Sequence, residues 1–388
     1  MKVMIINSLY SPYKFGGAEV SVRLLAESLT NKGVSVRVIT LNDEGQVIRK
    51  NLNSVEVISI PLKNIYWPFS SDSHSALKKI VWHLKDAYNS SMMEFISDEI
   101  DDFKPDVIHT NNLAGFSIGV WSVVKRKGYP LIHTIRDYYL FHPNSTLFKN
   151  GKNVDPRNFS VKLFSFFKKK ESQKIDMVVG ISDFISTLHE SNGFSKKAKF
   201  YHVYNPVDKI KKVYSGEKGR LSIGFIGRLT SEKGFDVFLD YAEEYRESAN
   251  FIAAGTIAPS SESNELLKRA QSLGVDVQGY VPVDKFLTSV DALLLPTKWN
   301  EPFGRVVAEA ALSKTPVFTN LTGGVKEISE LFSWVSPLEQ FGLEKVNEVL
   351  DMLSSYEDDQ NPFDKEKHAE NYLKLYNELI LSYRKNKI

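Results

Sequence analysis

Two glutamates, an arginine and a lysine on two short loops are the residues of this chain best suited to chemistry. Glu301 and Glu309 bound the run Glu301-Pro302-Phe303-Gly304-Arg305-Val306-Val307-Ala308-Glu309. Pro302 suits a first helical turn, which puts Glu301 at the mouth of a helix and Glu309 about two turns inside. A carboxylate at such a mouth can accept hydrogen bonds from ligand hydroxyls, and one farther along can hold a diol. The plain alternative is a Glu301 favoured by the helix dipole and a Glu309 on the surface. Arg228 and Lys233 lie in Gly227-Arg228-Leu229 and Glu232-Lys233-Gly234, after the apolar run 221–226. A planar fork of donors beside a mobile point charge suits a diphosphate. Otherwise these are two solvated loop cations.

Two further loops have the same placement, at the end of a strand. Lys14-Phe15-Gly16-Gly17-Ala18-Glu19 opens the first helix. Paired glycines let backbone come close to a ligand, and a helix N-terminus offers free N–H groups to a phosphate. A tight turn explains the same residues, because the full G-x-G-x-x-G spacing is missing. In Leu131-Ile132-His133-Thr134-Ile135-Arg136-Asp137-Tyr138-Tyr139, Arg136 and Asp137 emerge where an acceptor could enter. His133 lies inside the strand and reads as a buried structural histidine. His109, at the end of the run 106–110, is expected to face a ligand. In the stretch 161–170, Phe164, Phe166 and Phe167 precede Lys168, Lys169 and Lys170. Such a helix suits an anionic membrane surface, or packs on its domain as an ordinary amphipathic helix.

Alternating strands and helices must position these loops, and that alternation marks parallel α/β sheets. Short apolar runs at 3–6, 34–40, 55–60, 106–110, 131–135 and 177–179 are expected strands, and the pattern restarts at 221–226, 251–254, 292–295 and 316–319. Ala18, Val22, Leu25 and Leu29 share one helical face, which Gly33 ends as a C-terminal cap. A polar, basic stretch at 205–220 reads as a hinge between two domains, 1–207 and 208–368. Tyr372, Leu375, Leu379 and Tyr383 recur at helical spacing, so 369–388 is expected to be a helix packing toward the first domain.

Composition excludes several function classes. The 388 residues carry 49 Lys and Arg against 47 Asp and Glu, a net charge of +2, so nothing demands a nucleic-acid partner. With no cysteine there is no disulfide framework, thiolate chemistry or sulfur ligand for zinc. No apolar stretch approaches the ~20 residues that span a bilayer. The expected location is the cytoplasm, with peripheral contact on the inner face of the plasma membrane. P-loop, H-E-x-x-H and G-x-S-x-G patterns are absent, as is the D-x-D pair of metal-bound nucleotide sugars. No metal or other cofactor is therefore expected.

Taken in order, GGAE at 16–19, GRLTSEKG at 227–234 and EPFGRVVAEA at 301–310 resemble the retaining glycosyltransferases of family 4. VVGISDFIS around Ser182 and YHVYNPVD ending at Asp208 match as well, so the resemblance covers most of the chain. It implies a GT-B fold, two Rossmann-like domains facing across a cleft, with donor bound mostly by the second and acceptor by the first. Arg228 and Lys233 would hold the diphosphate of a UDP- or GDP-linked sugar, and Glu309 the ribose. Glu301, Phe303 and Gly304 would contact the sugar, while Gly16 and Gly17 close over the phosphates. Many relatives have a histidine where this chain has Arg136, so that histidine's role does not transfer. Arg136 instead suits an anionic acceptor group or the leaving phosphate, with Asp137 orienting an acceptor hydroxyl and His109 beside them.

The expected activity is metal-independent, retaining transfer of a sugar to a glycan or lipid-linked glycan, in bacterial surface polysaccharide synthesis. A nucleotide-sugar epimerase of the same fold and a non-catalytic glycan-binding scaffold are the alternatives.

Overall fold

Val3, Met4, Ile5 and Ile6 leave no polar face, as suits a strand covered on both sides, and all four are fully buried in β1 (Lys2–Ile6). The computed structural model describes residues 1–13, 16–70, 74–210, 219–257, 261–357 and 360–385. Around β1 stand β2 (Ser35–Asn42), β3 (Ile48–Leu52), β4 (Val55–Pro61), β5 (Val107–Thr110) and β6 (Leu131–Ile135). A hairpin, β7 (Phe148–Lys149) and β8 (Lys152–Asn153), intervenes before β9 (Met177–Gly180) and β10 (Lys199–His202). The eight-stranded order is β10-β9-β6-β5-β1-β2-β4-β3, parallel except for β3 against β4.

A second sheet repeats the plan with β11 (Leu221–Ile226), β12 (Ala249–Ala254), β13 (Asp276–Val277), β14 (Ala292–Leu295), β15 (Val317–Thr319) and β16 (Val335–Pro337). Its order is β13-β12-β11-β14-β15-β16, all parallel. In both sheets the first strand sits centrally and the order reverses beside it, at β1/β5 and at β11/β14. This is the doubly wound Rossmann plan, in which ligands bind at the carboxyl ends of the strands flanking that reversal.

The chain divides into two compact units. The first comprises Met1–Leu147, Asp155–Pro206 and Phe363–Ile388; the second, Phe148–Val154 and Val207–Pro362. Two assignments differ from the sequence expectation of 1–207 and 208–368. The β7–β8 hairpin joins the second unit because its hydrogen bonds lie there: Asn153 Nδ2 donates to the Lys298 carbonyl and Asn300 N–H to Asn153 Oδ1, both at 3.0 Å. The residues from Phe363 onward belong to the first unit. There the helix Lys365–Lys385 buries Tyr372, Leu375 and Leu379 against Val22, Leu25 and Leu29 of the helix Gly17–Asn31. Of the expected hinge, residues 211–218 lie outside the described residues.

Candidate functional site

In the second unit, the loops leaving β11 and β14 emerge side by side at the reversal of strand order. Gly234 holds them together: its φ is +83°, and a Cβ there would stand 1.9 Å from the Pro296 carbonyl oxygen. No side chain fits that approach. It leaves Lys233 beside Glu301, with the Lys233 ammonium paired to Glu301 Oε1 and 4.9 Å from the centre of the Trp299 ring. The Trp299 indole donates to the same Oε1 at 3.3 Å. Glu301 Oε2 has no partner among the described residues, so one oxygen is held and the other can receive a hydroxyl.

Arg228 lies on the rim, half exposed, with Nη2 3.1 Å from Glu232 Oε1. Thr230 and Thr297, on the same two loops, each bury a hydroxyl that finds no partner. Buried polar atoms are rarely left so, and two at neighbouring strand ends point to a ligand or ordered water.

The helix after β14 begins later than Pro302 implies. Gly304, in the left-handed region at φ +91°, precedes the helix Arg305–Leu312, and Pro302 and Phe303 are buried ahead of it. Glu309 is thus one turn inside rather than two, and mostly buried. Burial raises its carboxyl pKa, opposed by Arg305, whose Nε donates to Oε1 at 2.9 Å. Gly323 permits the following loop to close in, because a Cβ there would stand 2.3 Å from the Glu301 carbonyl oxygen.

In the first unit, Gly16 and Gly17 start the helix Gly17–Asn31, and Glu19 accepts from Gly16 N–H at 2.9 Å. Lys14 and Phe15 of that motif lie outside the described residues. Gly16 is extended (φ −160°), and the nearest atom to an added Cβ would be Glu19 Oε2 at 3.8 Å. Nothing in the fold requires glycine there.

Arg136 follows β6 and is buried. Its Nε donates to Asn111 Oδ1 at 2.9 Å and its Nη1 to Asn205 Oδ1 at 2.8 Å. Asn111 Nδ2 is buried without a partner, in a recess that Arg136, Asp137 and Tyr139 also line. Packing pushes the Asp137 carboxyl up to about 6, and its Oδ1 accepts from Tyr139 N–H at 2.7 Å. Arg136 and Lys168 act against that rise.

His109 is a correction. It is fully buried, with Nδ1 2.7 Å from Tyr376 Oη and Nε2 2.7 Å from Thr134 Oγ1, and stacks on Tyr372. Both ring nitrogens are occupied by hydroxyls and burial holds the ring neutral, so it faces the core and not a ligand. His133 is also buried, bonded to Thr110 Oγ1 at 2.9 Å. Asn111, Asn205, Trp299 and Thr297 escaped the sequence reading. Only Asn111 carried a usable signal, as the first polar residue past a strand.

Among the described residues no cluster of three or more His, Asp and Glu could hold a metal ion. The profile described as Glycosyltransferase Family 4 matches residues 15–210, and that described as Glycosyl transferases group 1 matches residues 206–335. An uncharacterized 42.6 kDa protein in the cps region of Klebsiella pneumoniae is 41% identical, over 97% of this chain and 100% of that protein. Among solved structures, the sucrose-phosphate synthase of Thermosynechococcus elongatus superposes with a TM-score of 0.67 at 16% identity, over 98% of this chain and 99% of that one. HepE of Anabaena, in complex with UDP and glucose, gives 0.64 at 15% identity, over 97% and 100%.

Proposed function

The chain belongs to this family of glycosyltransferases and has its GT-B fold, and from that premise we propose a retaining, metal-independent transfer of a sugar from a UDP- or GDP-linked donor to a glycan or lipid-linked glycan. The observation that carries the reading is the Lys233–Glu301 pair at the β11/β14 reversal, with one carboxylate oxygen uncommitted. Arg228 and Lys233 neutralise the diphosphate, Glu309 accepts from the ribose hydroxyls, and Gly16 and Gly17 let the backbone close over the phosphates. Glu301, with the backbone at Phe303 and Gly304, holds the sugar.

In the transfer itself, the acceptor oxygen bonds to the anomeric carbon on the face from which the diphosphate departs. The carbon–oxygen bond to phosphate breaks with its electron pair on phosphate, and a phosphate oxygen takes the acceptor's proton. Cations placed where that charge develops lower the barrier. Arg136, with the unpartnered Asn111 Nδ2 beside it, suits an anionic group on the acceptor or the leaving phosphate, and Asp137 orients the attacking hydroxyl. The relative in a cps region favours surface polysaccharide synthesis.

Thermal unfolding with UDP, GDP, ADP and dTDP in turn, EDTA present throughout, tests the reading. A nucleotide at ~100 times its Kd adds ~2.7 kcal/mol to native stability. A rise with UDP or GDP, followed by transfer from the matching sugar donor with retained anomeric configuration, is expected. No rise with any nucleotide favours the scaffold alternative, for which Arg136 in place of the family histidine is the motive. Donor altered without acceptor marks an epimerase.

A further inference from the structure

Two helices of the first unit are built inside out. In the helix Phe159–Ser172 the stripe facing the protein is Val161, Ser165, Lys168 and Ser172, while Phe159, Leu163, Phe166 and Phe167 are each more than 60% exposed. The helix Ala76–Ala87 buries only Trp82 and Asp86 and exposes Leu77, Ile80, Val81 and Leu84. Amphipathic helices on a soluble domain place these residue types the other way round.

The two helices meet over Tyr139. Asp86 Oδ2 accepts from Tyr139 Oη at 2.6 Å, and the Lys168 ammonium pairs with the Tyr139 carbonyl and lies 3.7 Å from the centre of its ring. Polar anchors therefore hold both helices to the domain, and the apolar side chains are left over. Their exposed surface is on the order of 1,000 Å², against the few hundred that a soluble monomer leaves contiguous.

Charge identifies the occupant. The exposed ionisable residues of the two helices are all lysines: Lys78, Lys79, Lys85, Lys162 and Lys170, with Lys169 half-buried. The acids are spent elsewhere, Asp86 buried and Glu171 paired with Lys174. No helix among the described residues is long and apolar enough to cross a membrane. Aromatic and aliphatic side chains among lysines, with no exposed acid, match the boundary between acyl chains and anionic headgroups.

We propose that the helices Ala76–Ala87 and Phe159–Ser172 together form a surface that docks this protein on an anionic phospholipid bilayer. This deepens the reading of a membrane-borne acceptor. Its test uses neither donor nor acceptor, so it stands or falls apart from the transfer reaction.

The full chain is floated with vesicles of phosphatidylcholine alone and of equimolar phosphatidylcholine and phosphatidylglycerol. Binding to the mixed vesicles that weakens as salt rises, with little on phosphatidylcholine alone, is expected. Substituting Leu84→Ser, Phe166→Ser and Phe167→Ser together, or Lys79→Glu, Lys162→Glu and Lys170→Glu together, lowers partitioning by ~100-fold or more. All six residues are exposed, so thermal unfolding should match the unsubstituted protein; if the apolar variant misfolds, the charge variant decides. Failure of the unsubstituted protein to float, or equal binding by the charge variant, overturns the proposal. So does sedimentation as a dimer that the serine substitutions dissolve, because the occupant is then a second copy.

Discussion

Lys233 stands in this structure as a cation with an exchangeable partner. One carboxylate oxygen and the face of an indole hold it, and side chains of the pair are each 20% exposed. A diphosphate brings more negative charge than one carboxylate, so it can draw the ammonium away and free both oxygens of Glu301 for hydroxyls. Lys233→Ala and Glu301→Ala are therefore each expected to lower turnover by ~10²-fold or more, as when one charge-stabilising donor is removed. Stability should fall by only about 1 kcal/mol, since a partly exposed ion pair contributes little. Steady-state transfer assays beside thermal unfolding separate the two, and near-normal turnover in both variants removes these residues from the site. Their types and spacing made the pair legible from sequence. His109 shows where that logic ends, because its hydroxyl partner Tyr376 lies 267 residues away and only the fold reveals that its imidazole is spent.

At the scale of elements, two glycines that look alike in sequence do different work. Gly234 is demanded by the fold, through its positive φ and its approach to Pro296. Gly16 is extended with room for a methyl group, so the fold gives no reason for it. Gly16→Ala is expected to keep the unfolding temperature while raising the KM for donor about tenfold, if the glycine serves close approach of a phosphate. Unchanged kinetics would make it a plain turn residue.

The main strands were legible because buried parallel strands are short apolar runs between turn residues: 131–135, 221–226 and 292–295 coincide with β6, β11 and β14. β3 and the β7–β8 hairpin were not, because Ile48–Leu52 carries Arg49, Lys50 and Asn51 and the hairpin strands are two residues each. Helical spacing also pairs the phenylalanines of Phe159–Ser172 as though they were core. Their exposure depends on Lys168 and Tyr139, which no periodicity reveals.

At the scale of the whole molecule, all eight histidines fall in the first unit, and none lies within Phe148–Val154 or Val207–Pro362. Burial pushes His133, His189 and His368 down to about 3, His83 to about 4, and His109 well below its usual value. His189, for example, sits against Phe141 and Phe194, where an imidazolium would be poorly solvated. A lowered histidine adds stability that is complete above ~6.5 and is lost as pH falls toward its folded value, because the unfolded chain then binds the extra proton. Asp86 and Asp137, both raised to about 6, act with the opposite sign, taking up protons in the folded state between about 6 and 4. Glu19, also raised, adds to that offset. Five histidines against these acids leave a net of roughly two or three protons, or about 3 kcal/mol lost per pH unit in that window. The second unit has no histidine to lose, and Glu309, raised by burial, gains there on acidification. Urea unfolding at pH 7 and pH 5, read by proteolysis with peptides assigned to each unit, should therefore show the first unit opening at lower urea at pH 5 while the second holds its midpoint. Equal shifts in both units would mean that the buried histidines do not set the acid limit of this fold.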